Sequence, residues 1–540
     1  MGAVEYRTPT VGTTVFGLFM ISYLESLADK SNLKTDICIV GTGPAGITLA
    51  KELIDSGLKV VILESGDFEF DPDTQDFYAG NIVNNLPPVP LDVSRLRYFG
   101  GTSNHWEGVC GPLDPIDFRA RDWIPNSGWP LTRDELNPFY KKAHQLIGLG
   151  PYEYRSSAWN NENWGLFKIA DTDITHAMHQ SNPQRFGPVY QKDLEKAENV
   201  HVILHANLTA IRTNEAFDRV TEIKATALGG NSISIDAKNV VLACGGVENA
   251  RLLLAFGFSA KLPAIGRYFN FHPHMLTGQL LLEKPTLHSR FPYRWHSNNG
   301  TRILNQFVLS EQAQKREKLP NHSATIEEIR LPMTKGYSAG KRLFNRLRGR
   351  QNFDHVMDDL YDLLTDLDGA YTQWNSRHAE HQISLLNVET YLDQPPHPDS
   401  RITLSEDKDA LGMPRARINW AYFPHEPASV QRFNEILASS FGAAGVGRMK
   451  IADNMTAPVN FEELVREQST GEHQIGATRI SEDQESGVVD LNCKVHGFDN
   501  LFCAGSSVFS TAGWMNPTTT IVALSVRLAE HLQSQSEEWA

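Results

Sequence analysis

Cysteine is scarce in this chain: five (Cys38, Cys110, Cys244, Cys493, Cys503) among 540 residues, with no Cys-x-x-Cys pair. That excludes a disulfide framework and gives no sign of a metal site. Basic residues are not in excess either. Lys plus Arg is 50 against 64 Asp plus Glu, a formal net charge of −14, which repels phosphate backbones and argues against nucleic acid as a partner. Internal repeats and low-complexity tracts are missing. An apolar run near the N-terminus, Val11 to Leu24, is 14 residues long, short of the ~20 that cross a bilayer. Before it only Arg7 is basic and Glu5 offsets it; Glu25, Asp29 and Lys30 follow where a signal peptide would carry a small-residue cleavage site. The expectations are no transmembrane segment, a surface helix or strand docked on the fold, and a cytoplasmic location. What remains is an ordinary globular mix, 41% apolar and 21% charged, long enough for two to four domains at roughly 100–200 residues each.

The most informative segment is 36–66. Ile37 to Val40 is a short apolar run of the kind a parallel strand buried on both faces shows. GTGPAG follows, placing Gly41, Gly43 and Gly46 in G-x-G-x-x-G spacing around Pro44 and Ala45. A helix-like stretch then ends near Gly57, and a second strand, Lys59 to Leu63, leads into Glu64 and Ser65. Glycines between strand and helix let a pyrophosphate approach the free N–H groups and positive end of the helix, and an acid at the next strand tip suits a ribose. A tight turn without a ligand is the weaker reading. A second strand–glycine–helix unit, NVVLACGGVENARLLLAF, runs from Asn239 to Phe256, with Ala243 at its strand end. From about Met275 to Arg401 no dinucleotide signal occurs, and this stretch reads as an inserted substrate-binding portion. Within it a basic segment (Lys335, Lys341, Arg342, Arg346, Arg348, Arg350) precedes an acidic one, Asp354 to Asp368, with Leu360, Leu363, Leu364 and Leu367 at helical spacing. A surface helical hairpin with complementary faces is expected; a docking patch or mobile lid is the sharper alternative.

Three further segments carry chemistry. GGTSNHW (Gly100, Gly101, Thr102, Ser103, Asn104, His105, Trp106) offers a tight turn with room for a flat cofactor. GEHQIGATR places His473 near the C-terminus. NLFCAGSSVFSTAGWMNPTTT carries Gly505, then Asn516 as an expected N-cap, Pro517 as the first helical residue and Thr518 behind it. That helix start would aim partial positive charge at whatever lies before it.

In this order through most of the chain, GTGPAG with Glu64, GGTSNHW, ACGGVENARLLL and NPTTTIVAL resemble the glucose–methanol–choline (GMC) flavin oxidoreductases, nearest to the pyranose oxidases and related sugar and glycoside enzymes. The likeness is weakest from about Leu280 to Leu385. It implies an α/β fold: a discontinuous Rossmann-like FAD-binding domain (36–110, 195–275 and 455–540) with an α+β substrate-binding domain on a mixed or antiparallel sheet (111–194 and 276–454), after an N-terminal extension (1–35). It implies bound FAD, with the pyrophosphate on Gly41, Gly43, Pro44, Ala45 and Gly46, and the ribose on Glu64 beside Ser65. Gly100, Gly101, Thr102, Ser103, Asn104, His105 and Trp106 would lie along the isoalloxazine, and Ala243, Gly505 and Thr518 would contact the cofactor. His473 and Asn516 would be the catalytic pair, a neutral imidazole taking the hydroxyl proton and an amide holding the alcohol oxygen. His272, His274 and His496 read as structural. The implied reaction is oxidation of a CH–OH group of a sugar, glycoside or polyol, with oxygen, a quinone or another acceptor restoring the flavin. The alternatives are a non-sugar alcohol substrate, or a non-redox lyase of the hydroxynitrile lyase kind, which tends to carry a second His where Asn516 stands. In pyranose oxidases the His matching His105 bonds covalently to FAD; here Asn104 and Glu107 depart from the pattern and favour a non-covalent neighbour.

Overall fold

The computed structural model describes residues 20–159, 165–329, 333–347, 355–378, 380–453, 461–469 and 473–536. Most of the apolar run 11–24 lies outside them, as do Arg348, Arg350, Asp354, Gly471 and Glu472. The run's last residues, Ile21–Tyr23, form an edge strand parallel to Val200–Leu204.

Two sheets of eight strands each organise the chain, with a small three-stranded one beside them. In the first the order is Ile21–Tyr23, Val200–Leu204, Val60–Leu63, Ser31–Val40, Ser232–Leu242, then the meander Val220–Thr226 and Asn207–Thr213. Leu501–Cys503 also pairs with Ser232–Leu242. Its central pairings are parallel and only the meander is antiparallel. The strand expected at Ile37 begins at Ser31, because Ser31 to Leu33 pair with Ile233 to Ile235 before the apolar stretch starts. Ile37, Cys38, Ile39, Val61 and Ile62 are fully buried. Helix Pro44–Glu52 packs on helix Thr518–Ser536, which in turn holds Arg133–Ile147, whose start is fixed by a Thr132–Glu135 capping box. Helix Phe186–Lys196 lies against Pro44–Glu52 and the turn Gly101–Asn104.

The second sheet is antiparallel in every pairing: Gly447–Ile451, His274–Leu287, Gln382–Tyr391, Ser323–Glu328, Thr301–Leu309, Ile174–Ser181 and Val109–Cys110, with His296–Asn298 beside Thr301–Leu309. Alternation along these strands separates two faces. One carries Phe307, Ile326, Leu386 and Val388 into a core shared with Phe433 and Phe441 of helix Glu426–Ala443. The other carries His179, Glu389 and Tyr391 into the cleft between the sheets, with Gln306 and Ser323 on the same face behind them.

The charged segment forms a hairpin of two helices, Lys335–Leu347 and Val356–Thr365, and a third, Leu367–His378, follows it and packs on the first. The third arises because Asp366 breaks the acidic helix, accepting from Gly336 N at 2.8 Å. The complementarity is real: Arg342 Nη2 lies 2.6 Å from Asp359 and 3.8 Å from Asp362, and Arg346 pairs with Asp359.

Candidate active site

A cavity of about 650 Å³ runs from the glycine loop, past GGTSNHW, to the polar face of the antiparallel sheet. At one end the strand Ser31–Val40 stops and helix Pro44–Glu52 begins. Gly41 has φ +102°, and a Cβ there would meet Ala243 O at 2.8 Å. A Cβ on Gly46 would meet Gly41 O at 1.9 Å, so this glycine closes the turn from behind. A Cβ on Gly43 would meet nothing within 4 Å and would project into the cavity instead. The geometry suits a pyrophosphate: bare backbone in front, a helix N-terminus behind it. Gly505, at φ +103° with only Gly245 near its missing Cβ, leaves a second bare wall. These residues fit FAD.

Pro44, Ala45, Glu64, Ser65, Gly101, Thr102, Ser103, His105, Trp106, Ala243 and Thr518 also line the cavity. Gly46, Gly100 and Asn104 stand behind the wall. Gly100 packs on Gly187, and Asn104 Nδ2 donates to Phe99 O (2.9 Å) and Gly101 O (3.0 Å), fixing the turn. Glu64 is 5% exposed and already ties the loop together: Oε2 accepts from Thr42 N (3.0 Å) and Thr42 Oγ1 (2.5 Å), Oε1 from Gly66 N (2.9 Å). Trp106 Nε1 donates to Gln184 O at 2.8 Å. His105 is exposed along the wall, and among the described residues no hydrogen bond joins it to Glu107.

Beyond Glu64 lies a group of buried charges that sequence reasoning missed. Arg97 Nη1 donates to Glu248 Oε1 (3.3 Å) and Nη2 to Asn207 Oδ1 (3.3 Å). Arg251 Nη2 donates to Asp409 Oδ2 (2.8 Å), and Arg95 Nη2 to Tyr78 O (2.9 Å). Burial pushes the Glu248 carboxyl up, but Arg251, Arg97 and Arg95 outweigh it and leave it below its ordinary value. The available signals were the Arg-Leu-Arg ahead of the glycine pair and the Glu248–Arg251 spacing of three on one helix. Asn249 is a second missed residue: Oδ1 accepts from Cys244 N (2.9 Å), and Nδ2 donates to Ala504 O (2.9 Å), locking the second glycine turn to the C-terminal strand.

At the opposite end His473 and Asn516 meet. Asn516 Nδ2 donates to His473 Nε2 at 3.3 Å, and His473 Nδ1 lies 3.3 Å from His272 Nδ1. This network assigns the proton of neutral His473 to Nδ1 and the lone pair to Nε2, on the Asn516 side. The C-terminal helix begins at Thr518, with Ile521 N donating to Pro517 O. It starts one residue later than expected, and the Asn516 side chain turns to His473 rather than capping the helix. Burial, with His272 and His179 nearby, holds the His473 imidazole down at about 3. Burial likewise lowers His272 to about 4 and His179 to about 3, and holds His274 well below its usual range.

The sheet face opposite this pair is polar and unsatisfied. Among the described residues, both ring nitrogens of His179, Nε2 of His274, both amide atoms of Gln306 and Oγ of Ser323 are buried without a hydrogen-bond partner, as is Oδ1 of Asn516 in the pair itself. His179 is 1% exposed, edge-on to Trp514 at 5.1 Å. Glu389 lies beside Tyr391, and burial, then Glu327, raises its carboxyl to about 7.

A family model described as GMC oxidoreductase matches residues 396–525, and one described as FAD dependent oxidoreductase matches residues 36–294. Pyranose 2-oxidase of Tricholoma matsutake is 41% identical over 95% of this chain and 96% of its own. 2-Methyl-1,2-propanediol dehydrogenase of Mycolicibacterium austroafricanum is 22% identical over 92% of this chain and 95% of its own. Among solved structures, a formate oxidase of Aspergillus oryzae superposes with a TM-score of 0.56 at 16% identity, covering 95% of this chain and all of that one, a likeness of fold.

Proposed function

Since the chain belongs to the GMC oxidoreductases and is an FAD-dependent enzyme of alcohols and sugars, we propose that it oxidises a CH–OH group of a sugar, glycoside or polyol, with His473 as the base. The observation that carries the sugar reading is the set of unpartnered polar atoms on His179, His274 and Asn516, which line the cavity around His473. Leaving a buried polar group unmatched costs about 1–3 kcal/mol. A face that keeps several is matched by a ligand rich in hydroxyls, and an alkyl alcohol would leave them all unsatisfied.

Bound FAD supplies the two-electron acceptor for the alcohol carbon. Gly41, Gly43, Pro44 and Ala45 would hold its pyrophosphate, Glu64 its ribose, and Gly101 to Trp106 would flank its ring. The chain's own residues do the rest. The substrate hydroxyl displaces Asn516 from His473 Nε2, whose lone pair then receives the hydroxyl proton. Because burial keeps this imidazole neutral, the accepting form is present throughout the physiological range. Asn516 Nδ2 donates toward the alcohol oxygen. The N-terminus of helix Thr518–Ser536 places partial positive charge where negative charge develops. His179 and His274 take ring hydroxyls.

Anaerobic mixing with a panel of sugars, glycosides, polyols and simple alkanols tests this. Sugars, glycosides or polyols should bleach the flavin at low concentration. Bleaching by alkanols alone would reject the sugar reading, and no bleaching by any alcohol would reject oxidation. The electron acceptor is varied separately, by re-oxidising the bleached enzyme with oxygen or with a quinone.

A further inference from the structure

The antiparallel sheet ends, away from the cavity, in a cluster that plays no part in the chemistry above. His288, immediately after strand His274–Leu287, Glu328, the last residue of Ser323–Glu328, and His381, immediately before Gln382–Tyr391, bring one donor atom each to within 4.8 Å of one another. His288 Nδ1 lies 3.2 Å from Glu328 Oε2, and His381 Nε2 contacts Glu328 Oε1. His288 N donates to His381 O at 2.9 Å, so the backbone already holds the two imidazoles side by side, ring centroids 4.9 Å apart. The side chains are 21%, 21% and 31% exposed, which leaves one approach open to water.

We propose that His288, Glu328 and His381 bind a zinc ion, with water completing the site. Zinc held at about 2.0–2.1 Å by each ligand spaces tetrahedral donors about 3.4 Å apart, close to the His288–Glu328 separation. Two imidazole nitrogens and one carboxylate suit zinc, whereas calcium and magnesium take oxygen ligands. Glu380 faces the same imidazoles and adds negative charge, while Arg294 beside His288 opposes it. No sequence pattern announces this site, because the ligands come from three separated segments and no pair has a zinc-motif spacing. Its place in the chain gives it a role. Residues 329–380, which include the three charged helices, leave the sheet at Glu328 and return at His381. The ion clamps the root of that insertion, in strands whose Glu327 and Glu389 line the cavity.

The test uses tag-free, FAD-loaded enzyme, stripped with EDTA and titrated with ZnCl₂ by calorimetry, with elemental analysis after gel filtration. One equivalent should bind, and Co²⁺ should add, in the difference spectrum, the visible absorption of a four-coordinate site. His288→Ala and Glu328→Gln should each weaken zinc binding at least about tenfold, while His355→Ala should not. Zinc should slow proteolysis within 333–378 in the wild type alone. Flavin absorbance and circular dichroism verify that each variant is folded. No retained zinc, or equal affinity in wild type and both ligand variants, overturns the site and leaves Glu328 as a hydrogen-bond acceptor for two imidazoles. Stoichiometric binding without protection overturns the clamping role.

Discussion

The two ends of the cavity are built on opposite terms. Near the glycine loop, buried charges face counter-charges: Arg97 and Arg251 meet Glu248, and Arg251 meets Asp409. Near His473, the buried polar groups of His179, His274, Gln306 and Asn516 have atoms with no partner among the described residues. The first end is balanced in charge by the chain itself, although Arg95 Nη1, Arg97 Nε, Arg251 Nε and Glu248 Oε2 have no hydrogen-bond partner among the described residues. The second is finished only by what enters it. Removing a residue from the first should therefore cost stability, and removing one from the second should cost catalysis.

The largest effect should come from Glu248→Ala. It strands Arg97 in a buried site, while Arg251 keeps Asp409, and breaking such a pair costs about 3–5 kcal/mol. A marked fall in the urea midpoint, with loss of flavin, is expected. Wild-type stability would mean that the arginines are solvated and the comparison fails at its first end. His473→Ala comes next. It should keep FAD but slow flavin bleaching by about 10²-fold or more, the scale of a lost general base. A near-wild-type rate moves the base elsewhere.

Acidification should act on the second end. His179 and His272 are buried and neutral, their folded pKa values of about 3 and 4 lying below the ordinary value of about 6.5. Below pH 6.5 the unfolded chain binds protons that the folded one refuses. The stability these residues contribute is thus complete above that pH and is lost as the pH falls toward their folded values. At pH 5 each costs about 2 kcal/mol. Unfolding at pH 7 and pH 5 should show a smaller loss in His179→Gln than in wild type; equal losses would refute it. The smallest effect is kinetic. His179→Ala should lower kcat/KM for the best sugar about tenfold, the value of one lost hydrogen bond, with little change in stability at pH 7. The reverse split would make His179 a packing residue.

How much of this was legible depended on how local the encoding is. Gly41, Gly43, Gly46 and Glu64 declare themselves because strand, turn, helix and next strand tip are consecutive, so spacing alone carries the geometry. Asn516 was legible only as a helix-start residue plus a family likeness; its partner, His473, lies 43 positions away. The polar sheet face was not legible. His179 joins Leu304 by strand register, and His274 joins Tyr391 likewise, and no local pattern reports register between distant strands. The arginine cluster was hidden for the same reason: Arg97, Glu248 and Asp409 come from three separate parts of the chain.

The sheet around the glycine loop is closed from both directions of the chain: Ser31–Val40 is joined through Ser232–Leu242 to Leu501–Cys503, and Pro44–Glu52 is covered by Thr518–Ser536. Synthesis runs from the N-terminus at about 5–20 residues per second, so roughly half a minute to a minute and a half separates the glycine loop from the strand and helix that complete it. His473, Gly505 and Asn516 emerge in that last interval. A nascent chain therefore carries the first half of its cofactor cradle long before it can cover it or catalyse anything, and cofactor capture becomes an event of the finished polypeptide rather than of its growth.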